Sequence, residues 1–183
     1  MDNGESSYRR FLSGDDQGLV EIIRIYKDGL IFFLNGFTHD ILAAEELCED
    51  TFVKLAVNKP QFDGRSSFKT FLYTIARNTA LDWKRTHKHH LSIDEAGEID
   101  SGKRSLEEEY LREEQKIAVH RAMEKLKSNY RQVLWLTYFE ELSNKETAAV
   151  MKKSVRSIET LVYRARNALK KQLEKEGFTY ENI

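Results

Sequence analysis

The chain has 183 residues, of which 40% are apolar and 32% charged, and its formal net charge is −1. This length allows one ordinary domain or two small helical domains. One Pro and nine Gly leave few helix breakers, which favours an all-helical fold. The only cysteine excludes an intrachain disulfide and a cysteine-based metal cluster, and it fits a reducing compartment.

The N-terminal residues 1–13 are polar and lack the apolar core of a signal peptide. Apolar runs also fall well short of the roughly 20 residues that span a bilayer. We therefore expect a cytoplasmic protein without membrane insertion.

Charge is distributed unevenly along the chain. Residues 1–85 carry 11 basic and 13 acidic side chains, and residues 86–115 carry 4 and 9. Residues 116–183 carry 14 basic and 8 acidic side chains, a net charge of +6. A basic end on a nearly neutral protein indicates a polyanionic partner at that end.

The first half of the chain shows three stretches of helical periodicity. The first runs from about Tyr8 to Phe37 and is broken by Asn35-Gly36. The second spans roughly Asp40 to Val57, where an apolar stripe faces an acidic side. The third begins after Ser66 or Ser67, either of which can serve as its N-cap, and continues past Trp83.

The second half begins with a polar, aperiodic stretch over residues 91–104, which is the best candidate for a linker. Helical periodicity resumes near Ser105 and continues to about Leu126, and a further helix is predicted over Asn129–Phe139.

Two short helices follow with clear start signals. Ser143 and Glu146 form the S-x-x-E pattern of a capping box, and Ser154 can cap the next helix. The second helix carries an apolar stripe, formed by Val155, Ile158, Val162, Ala165 and Leu169. Two helices joined by so short a turn are typical of a helix-turn-helix.

The outward face of this second helix combines hydrogen-bonding side chains with arginines. It carries Arg156, Ser157, Glu159, Thr160, Tyr163 and Arg164. These groups suit base edges and phosphates in a major groove. An amphipathic hairpin with a solvated charged face would show the same periodicity, but the caps, the short turn and the basic balance favour DNA binding.

Three segments together resemble the extracytoplasmic-function (ECF) subfamily of bacterial RNA polymerase sigma factors. Residues 142–166, with their Leu-Ser-x-x-Glu-x-Ala and Tyr-Arg-Ala-Arg motifs, are similar to that family's C-terminal DNA-binding domain, called region 4. Residues 44–55 resemble its polymerase-binding helix, and residues 62–83 resemble its promoter-melting helix and the preceding loop, both in region 2. The segments occur in the family's order and separation across most of the chain.

The resemblance implies an all-α fold of two small helical domains joined by a flexible linker. Residues 1–90 would form the region 2-like domain, 91–104 the linker and 105–183 the region 4-like domain. The expected partners are core RNA polymerase, melted promoter DNA at the −10 element and duplex DNA at the −35 element. An anti-sigma protein is a further partner that the family allows, although no residue identifies one.

The resemblance also assigns site residues in the first domain. It places polymerase binding on Glu46, Leu47, Glu49, Asp50 and Phe52. It places −10 recognition and melting on Phe62, Arg65, Tyr73, Arg77, Asn78, Lys84 and Arg85. Aromatic and cationic side chains suit unstacked bases and their backbone. Without the resemblance, most of these aromatics would be assigned to the core and the acidic residues to a solvated surface.

The chain departs from the family pattern at three positions in the helix-turn-helix. Lys152 replaces the usual turn glycine, and a lysine adopts the left-handed conformation only at some cost. Leu161 stands where an arginine is common, and Glu159 is acidic at a base-reading position. A carboxylate accepts a hydrogen bond from cytosine N4, so we expect Glu159 to favour cytosine in the −35 element.

Two other functions remain as alternatives at this point. A non-sigma helix-turn-helix regulator is one, although the first half lacks the strand pattern of a receiver domain. A metalloprotein is the other, and its candidate ligands are His87, His89, His90, Asp94 and Glu95. Such closely spaced histidines rarely complete a tetrahedral site. No hydrolase or nucleotide-binding motif occurs, so we predict neither enzymatic activity nor a cofactor or metal.

Overall fold

The computed structural model describes residues 4–87 and 117–177, and the regular structure within both ranges is helical. The first range contains α1 (Glu5–Leu12), α2 (Gln17–Thr38), α3 (Ile41–Asn58) and α4 (Phe68–Thr86). The second contains α5 (117–124), α6 (Ser128–Leu134), a π-helical turn (Trp135–Phe139), α7 (Asn144–Met151) and α8 (Val155–Lys175). The predicted linker at 91–104 lies outside the described residues.

The prediction of one helical run from Tyr8 to Phe37 is wrong, because the chain turns between α1 and α2. Gly14 adopts a φ of 102°, and the Asp15 carboxylate accepts a hydrogen bond from the Gln17 amide at 3.0 Å. Gly18 lets the two helices touch, since a Cβ there would overlap the Ser7 carbonyl oxygen. Apolar periodicity misses this turn because both helices bury aromatic or aliphatic stripes in the same core.

Asn35-Gly36 does not end α2, contrary to the sequence prediction. The helix continues to Thr38 and ends at His39, which has a left-handed φ of 57°. A Cβ placed on Gly36 would lie 3.6 Å from side-chain carbons of both Arg131 and Gln132 on α6. Packing against α6 therefore overrides the weak helix propensity of the Asn-Gly pair.

The boundaries of α3 and α4 agree with the sequence signals. Asp40 caps α3 by accepting a hydrogen bond from the Leu42 amide at 2.9 Å, and Lys59 ends the helix just before Pro60. Of the two serines predicted as caps for α4, Ser67 is the one that accepts from the Thr70 amide. Local capping hydrogen bonds thus define the start of both helices.

The main apolar core extends through both halves of the chain. The largest fully buried apolar side chains of the first half are Tyr8, Ile22, Leu30, Phe33, Leu34, Leu55, Phe68, Leu72 and Tyr73. Those of the second half are Leu134, Leu136 and Ile158, and they belong to the same cluster. Helix α6 and the π-helical turn pack on α2, and α7 packs on α4. The C-terminal domain is therefore docked on the N-terminal domain.

The length and hydropathy of the helices in the described ranges bear on the expectation that the chain does not insert into a membrane. None of them combines the length and the apolar character that crossing a bilayer would require.

Candidate nucleic-acid interface

The helix-turn-helix predicted from the caps is present in α7 and α8. The Ser143 hydroxyl accepts a hydrogen bond from the Glu146 amide, and the Glu146 carboxylate accepts one from the Ser143 amide at 3.0 Å. Lys152 ends α7 in the left-handed conformation, with φ 51° and ψ 51°. The Ser154 hydroxyl then caps α8 by accepting from the Ser157 amide at 3.2 Å. Both predicted caps are confirmed.

Helix α8 separates a buried stripe from a fully exposed face. Ile158 and Ala165 are completely buried, and Val162 and Leu169 are half-buried. Val155 is 40% exposed, because the first turn of α8 projects beyond the core. All six residues predicted to read the −35 element are exposed, namely Arg156, Ser157, Glu159, Thr160, Tyr163 and Arg164.

An open groove of about 350 Å³ runs along the first turns of α8. It is lined by Ser154, Arg156, Ser157, Thr160, Leu161 and Arg164. Four of these side chains were predicted from the sequence to contact DNA. The groove joins two guanidinium groups, three hydroxyls and the positive end of the helix, a combination that suits phosphate and base edges.

The acidic side of α3 forms a second candidate surface. Glu46, Glu49 and Asp50 are exposed, as polymerase contact requires. Leu47 and Phe52, assigned to the same contact, are 2% and 7% exposed and belong to the core. They orient the acidic side chains by anchoring the opposite side of α3.

Sequence reasoning missed an apolar component of the α3 surface. Leu42, Val53 and Val57 are 67%, 56% and 75% exposed, and they lie outside the predicted apolar stripe. Their departure from the buried periodicity was the signal that could have identified them. Exposed apolar side chains beside carboxylates suit a protein partner better than a solvated helix face.

The loop before α4 carries two of the predicted −10 residues. Phe62 is half-buried, with its ring centroid 5.8 Å from that of Phe68 and 5.2 Å from that of Phe71. The Arg65 side chain is 89% exposed, and its Nε lies 3.2 Å from Asp63 Oδ2. The Arg65 side chain can therefore reach an approaching DNA strand, whereas the Phe62 ring is partly engaged by the rings of Phe68 and Phe71.

The remaining −10 residues lie on two faces of α4. Tyr73, Arg77 and Lys84 share one face by helical spacing, and Asn78 and Arg85 share another. Tyr73 is completely buried, and burial together with the nearby Glu140 carboxylate raises its pKa well above the ordinary value. Arg77 is half-buried, and burial lowers its pKa. The structure thus does not gather these side chains into one exposed patch.

Of the proposed metal ligands, only His87 lies within the described residues. Its ring stacks on Trp83 with centroids 4.7 Å apart, and its Nδ1 is 2.9 Å from the Trp83 carbonyl oxygen. In ranges 4–87 and 117–177, no three His, Cys, Asp or Glu side chains are placed to hold a metal ion.

The fold and its surfaces define a two-domain helical protein with a DNA-docking helix-turn-helix. Comparison with known proteins identifies the family within this class. Residues 22–90 match the family model for sigma-70 region 2, and residues 116–169 match that for sigma-70 region 4. The chain belongs to the ECF subfamily of RNA polymerase sigma factors.

Two relatives from Bacillus subtilis illustrate the similarity. RNA polymerase sigma factor YlaC is 33% identical over 86% of this chain and 92% of its own length. ECF RNA polymerase sigma factor SigM is 30% identical over 82% of this chain and 91% of its own length. Among solved structures, the sigma factor RpoE of Bartonella quintana, in complex with the anti-sigma factor NepR, aligns with a TM-score of 0.68. It is 22% identical and covers 84% of this chain and 95% of its own.

These findings decide between the two DNA-binding alternatives. A non-sigma regulator would account for the helix-turn-helix alone. The region 2 match and relatives that align over most of both chains support the sigma factor instead.

Proposed function

We propose that this chain binds core RNA polymerase and directs transcription initiation at promoters that it recognises through their −10 and −35 elements. The observation that carries the proposal is that one chain combines two exposed surfaces. They are the face of α8 along which the groove runs and the acidic face of α3. One face suits duplex DNA and the other suits a basic protein surface. A sigma factor requires both.

The −35 element is read by α8 in this proposal. Arg156, Thr160 and Arg164 line the groove and can contact phosphates or base edges. Glu159 is exposed on the same helix and accepts from cytosine N4. Since Leu161 contributes no charge here, affinity for the −35 element alone is modest, and attachment to the polymerase supplies the rest.

Polymerase docking is the role of α3. The carboxylates of Glu46, Glu49 and Asp50 provide electrostatic attraction, and the exposed Leu42 and Val53 provide apolar contact area. Leu47 and Phe52 act indirectly, through the core packing that orients this surface.

The −10 element is opened and held by α4 and the loop before it. Arg65 is exposed, and Asn78, Lys84 and Arg85 follow on α4 with Phe62 beside the loop. Aromatic and cationic groups of this kind bind unstacked bases and their backbone. Tyr73 is completely buried and Arg77 half-buried, so both side chains must become more exposed before they join this surface.

The proposal includes the division into domains 1–90 and 105–183 with a linker at 91–104. It also includes a cytoplasmic location and the absence of catalytic activity, since the polymerase carries out the chemistry. An anti-sigma protein is a proposed partner, by analogy with the complex of the RpoE relative.

Reconstituted transcription tests the proposal. Purified bacterial core polymerase with this protein should initiate at discrete promoters of a genomic library that core enzyme alone ignores. Glu46→Lys combined with Glu49→Lys should weaken core binding by about 10-fold or more, since two attractive charges become repulsive. Glu5→Lys combined with Asp16→Lys makes the same charge change away from α3 and should leave core binding intact. Failure of the wild-type protein to bind core would contradict the sigma function but not DNA binding.

A further inference from the structure

The loop between α3 and α4, residues 59–67, is tied to α1 at its first two residues. The Tyr8 hydroxyl donates a hydrogen bond to the Pro60 carbonyl oxygen at 2.7 Å, although the two residues are 52 positions apart. Burial raises the pKa of Tyr8 to about 12, so the hydroxyl stays protonated and able to donate. Lys59 Nζ lies over the Phe11 ring, 4.9 Å from its centroid. Helix α1 therefore holds the point at which the chain enters the loop.

These two ties lie where the backbone needs support. Lys59 adopts a left-handed conformation, with φ 41° and ψ 54°, which is unfavourable for a residue that has a Cβ. Pro60 has no amide N–H, so its carbonyl oxygen is the only backbone group through which it can be hydrogen-bonded. Strained backbone persists where the surrounding contacts fix it. The contacts from Tyr8 and Phe11 provide that restraint.

The Tyr8 ring also supports a side chain within the loop. Tyr8 is completely buried, and its ring centroid lies 5.2 Å from that of Phe68 and 6.0 Å from that of Phe71. Phe68 and Phe71 are the same two rings on which Phe62 packs. Through this aromatic cluster, α1 is linked to the Phe62 side chain as well as to the backbone at Pro60.

Local bonds shape the tip of the loop but do not fix its place relative to α4. The Arg65 amide donates to Asp63 Oδ1 at 3.1 Å, and Gly64 has a left-handed φ of 71°. Both features belong to the turn itself. The position of the Arg65 side chain therefore depends on the two ends of the loop, which are held by the Ser67 cap and by α1.

Helix α1 can restrain the loop because it is itself fixed to α2. The Ser7 hydroxyl donates to Glu21 Oε2 at 2.8 Å, and Arg10 donates to the same oxygen at 3.0 Å. A Cβ at Gly18 would lie only 2.1 Å from the Ser7 carbonyl oxygen, so the two helices are in direct contact. The match to sigma-70 region 2 begins at residue 22, so α1 lies outside it.

We propose that α1 belongs to the −10 site and that Tyr8 is a positioning residue for it. Tyr8 holds the loop in one conformation, so that Phe62 and Arg65 are already in place when an unstacked base arrives. Ordering the loop beforehand lowers the entropy that is lost on binding. The DNA role rests on the proposed function, whereas the restraint of the loop by α1 does not.

Tryptic cleavage of the folded full chain after Arg65, measured by mass spectrometry, tests the restraint. The rate of such cleavage follows the population in which the loop is open. Tyr8→Phe keeps the ring and removes only the hydroxyl. It should speed cleavage after Arg65 about 5-fold, the effect of one lost hydrogen bond.

Ser7→Ala is the matched control, because it removes one hydroxyl from the same helix but breaks the bond to Glu21 instead. Both variants should lower the free energy of unfolding by a similar amount, which urea unfolding measures. Cleavage after Arg65 should nevertheless stay within about 2-fold of the wild type in Ser7→Ala. An unchanged rate in Tyr8→Phe, or an equal acceleration in both variants, would overturn the restraint.

Lys59→Met decides the matter if Tyr8→Phe fails to fold. Lys59 is exposed, and methionine keeps an unbranched apolar chain while removing the cation over Phe11. Cleavage after Arg65 should rise about 3-fold, as expected from the loss of a cation–π contact. Lys27→Met makes the same charge change at an exposed position of α2 and should leave the rate unchanged. Equal rates in Lys59→Met and Lys27→Met would contradict the restraint.

Selection from a promoter pool randomised at both elements, with the reconstituted polymerase, tests the DNA role of Tyr8. Tyr8→Phe should weaken the base preferences at the −10 element about 3-fold and leave those at the −35 element unchanged. A purely structural defect would reduce the recovery of all promoters without changing the preferences at either element. Unchanged −10 preferences in a variant whose loop has loosened would overturn the positioning role.

The two tests separate this inference from the proposed function. Failure of the wild type to bind core polymerase would contradict the proposed function and, with it, the DNA role of Tyr8. The cleavage experiment needs neither polymerase nor DNA, so it decides independently whether α1 restrains the loop.

Discussion

At the scale of one residue, Glu146 shows how a side chain of a local capping motif also makes a contact far along the sequence. Its capping of α7 is predictable, because Ser143 is only three positions away. Its bond to Ser67 spans 79 positions and is visible only in the fold. Burial acts to raise the pKa of Glu146, but the hydrogen bonds from Ser143, Ser67 and Thr70 together outweigh it and lower the pKa.

Glu159 provides the prediction at this scale. If its carboxylate accepts from cytosine N4, Glu159→Ala should abolish a cytosine preference of about 5-fold, equivalent to roughly 1 kcal/mol, at one −35 position. Selection of −35 sequences from a randomised promoter pool, bound by the reconstituted polymerase, measures this preference. Glu174→Ala removes an exposed carboxylate farther along α8 and should change nothing. An unchanged base preference in Glu159→Ala would refute the assignment.

At the scale of the element, the turn between α7 and α8 uses a residue poorly suited to its conformation. Lys152 occupies the left-handed region that glycine adopts without strain. The sequence predicted this cost from the missing glycine, and the backbone confirms the conformation. The Ser154 cap fixes the end of this turn, since its hydroxyl satisfies one of the first amides of α8.

Lys152→Gly should therefore stabilise the protein. Relief of the left-handed strain exceeds the entropy that glycine adds to the unfolded chain, and we expect a net gain of about 0.5–1 kcal/mol. Urea unfolding followed by circular dichroism measures it. Lys153→Gly, one residue later, lacks the positive φ and should be neutral or destabilising. A destabilised Lys152→Gly would show that the lysine side chain stabilises the turn by another contact.

At the scale of the whole molecule, the docked domains bring titratable groups together. His39 lies against Arg131 across the interface, and its pKa is lowered by burial, by Arg131 and by Lys84. Burial also lowers the pKa of His120, which packs on Phe32. Both histidines are therefore favoured in the neutral form in the docked state.

This arrangement predicts a pH dependence of the free energy of unfolding. Because the histidine pKa is lowered in the folded state, the stabilising contribution of the neutral histidine is fully present above its ordinary pKa of about 6.5. This contribution is lost as the pH falls through the pKa of the folded state. His39→Asn should be less sensitive between pH 7.5 and 5.5 than the wild type, with the remaining dependence due to His120. His87→Asn, at an exposed histidine, is the control. Urea unfolding at both pH values measures the effect, and identical slopes for wild type and His39→Asn would contradict it.

The sequence by itself determined most of the helices, the caps, the helix-turn-helix and the family. These properties depend on periodicity and on hydrogen bonds between residues about four positions apart, which a linear pattern contains. It also identified the exposed face of α8 that we propose reads the −35 element, because the alternation of buried and polar positions defines that face.

Only the tertiary structure decided where α2 ends, which α3 residues are core and how the C-terminal helices pack on α4. Gly29, Lys69, Tyr73 and Glu140 meet although Lys69 and Glu140 are 71 positions apart. Such contacts depend on how one domain packs on the other, which no local pattern encodes. The helix-turn-helix could thus be predicted from residues 142–169, whereas its docking over α4 required the fold.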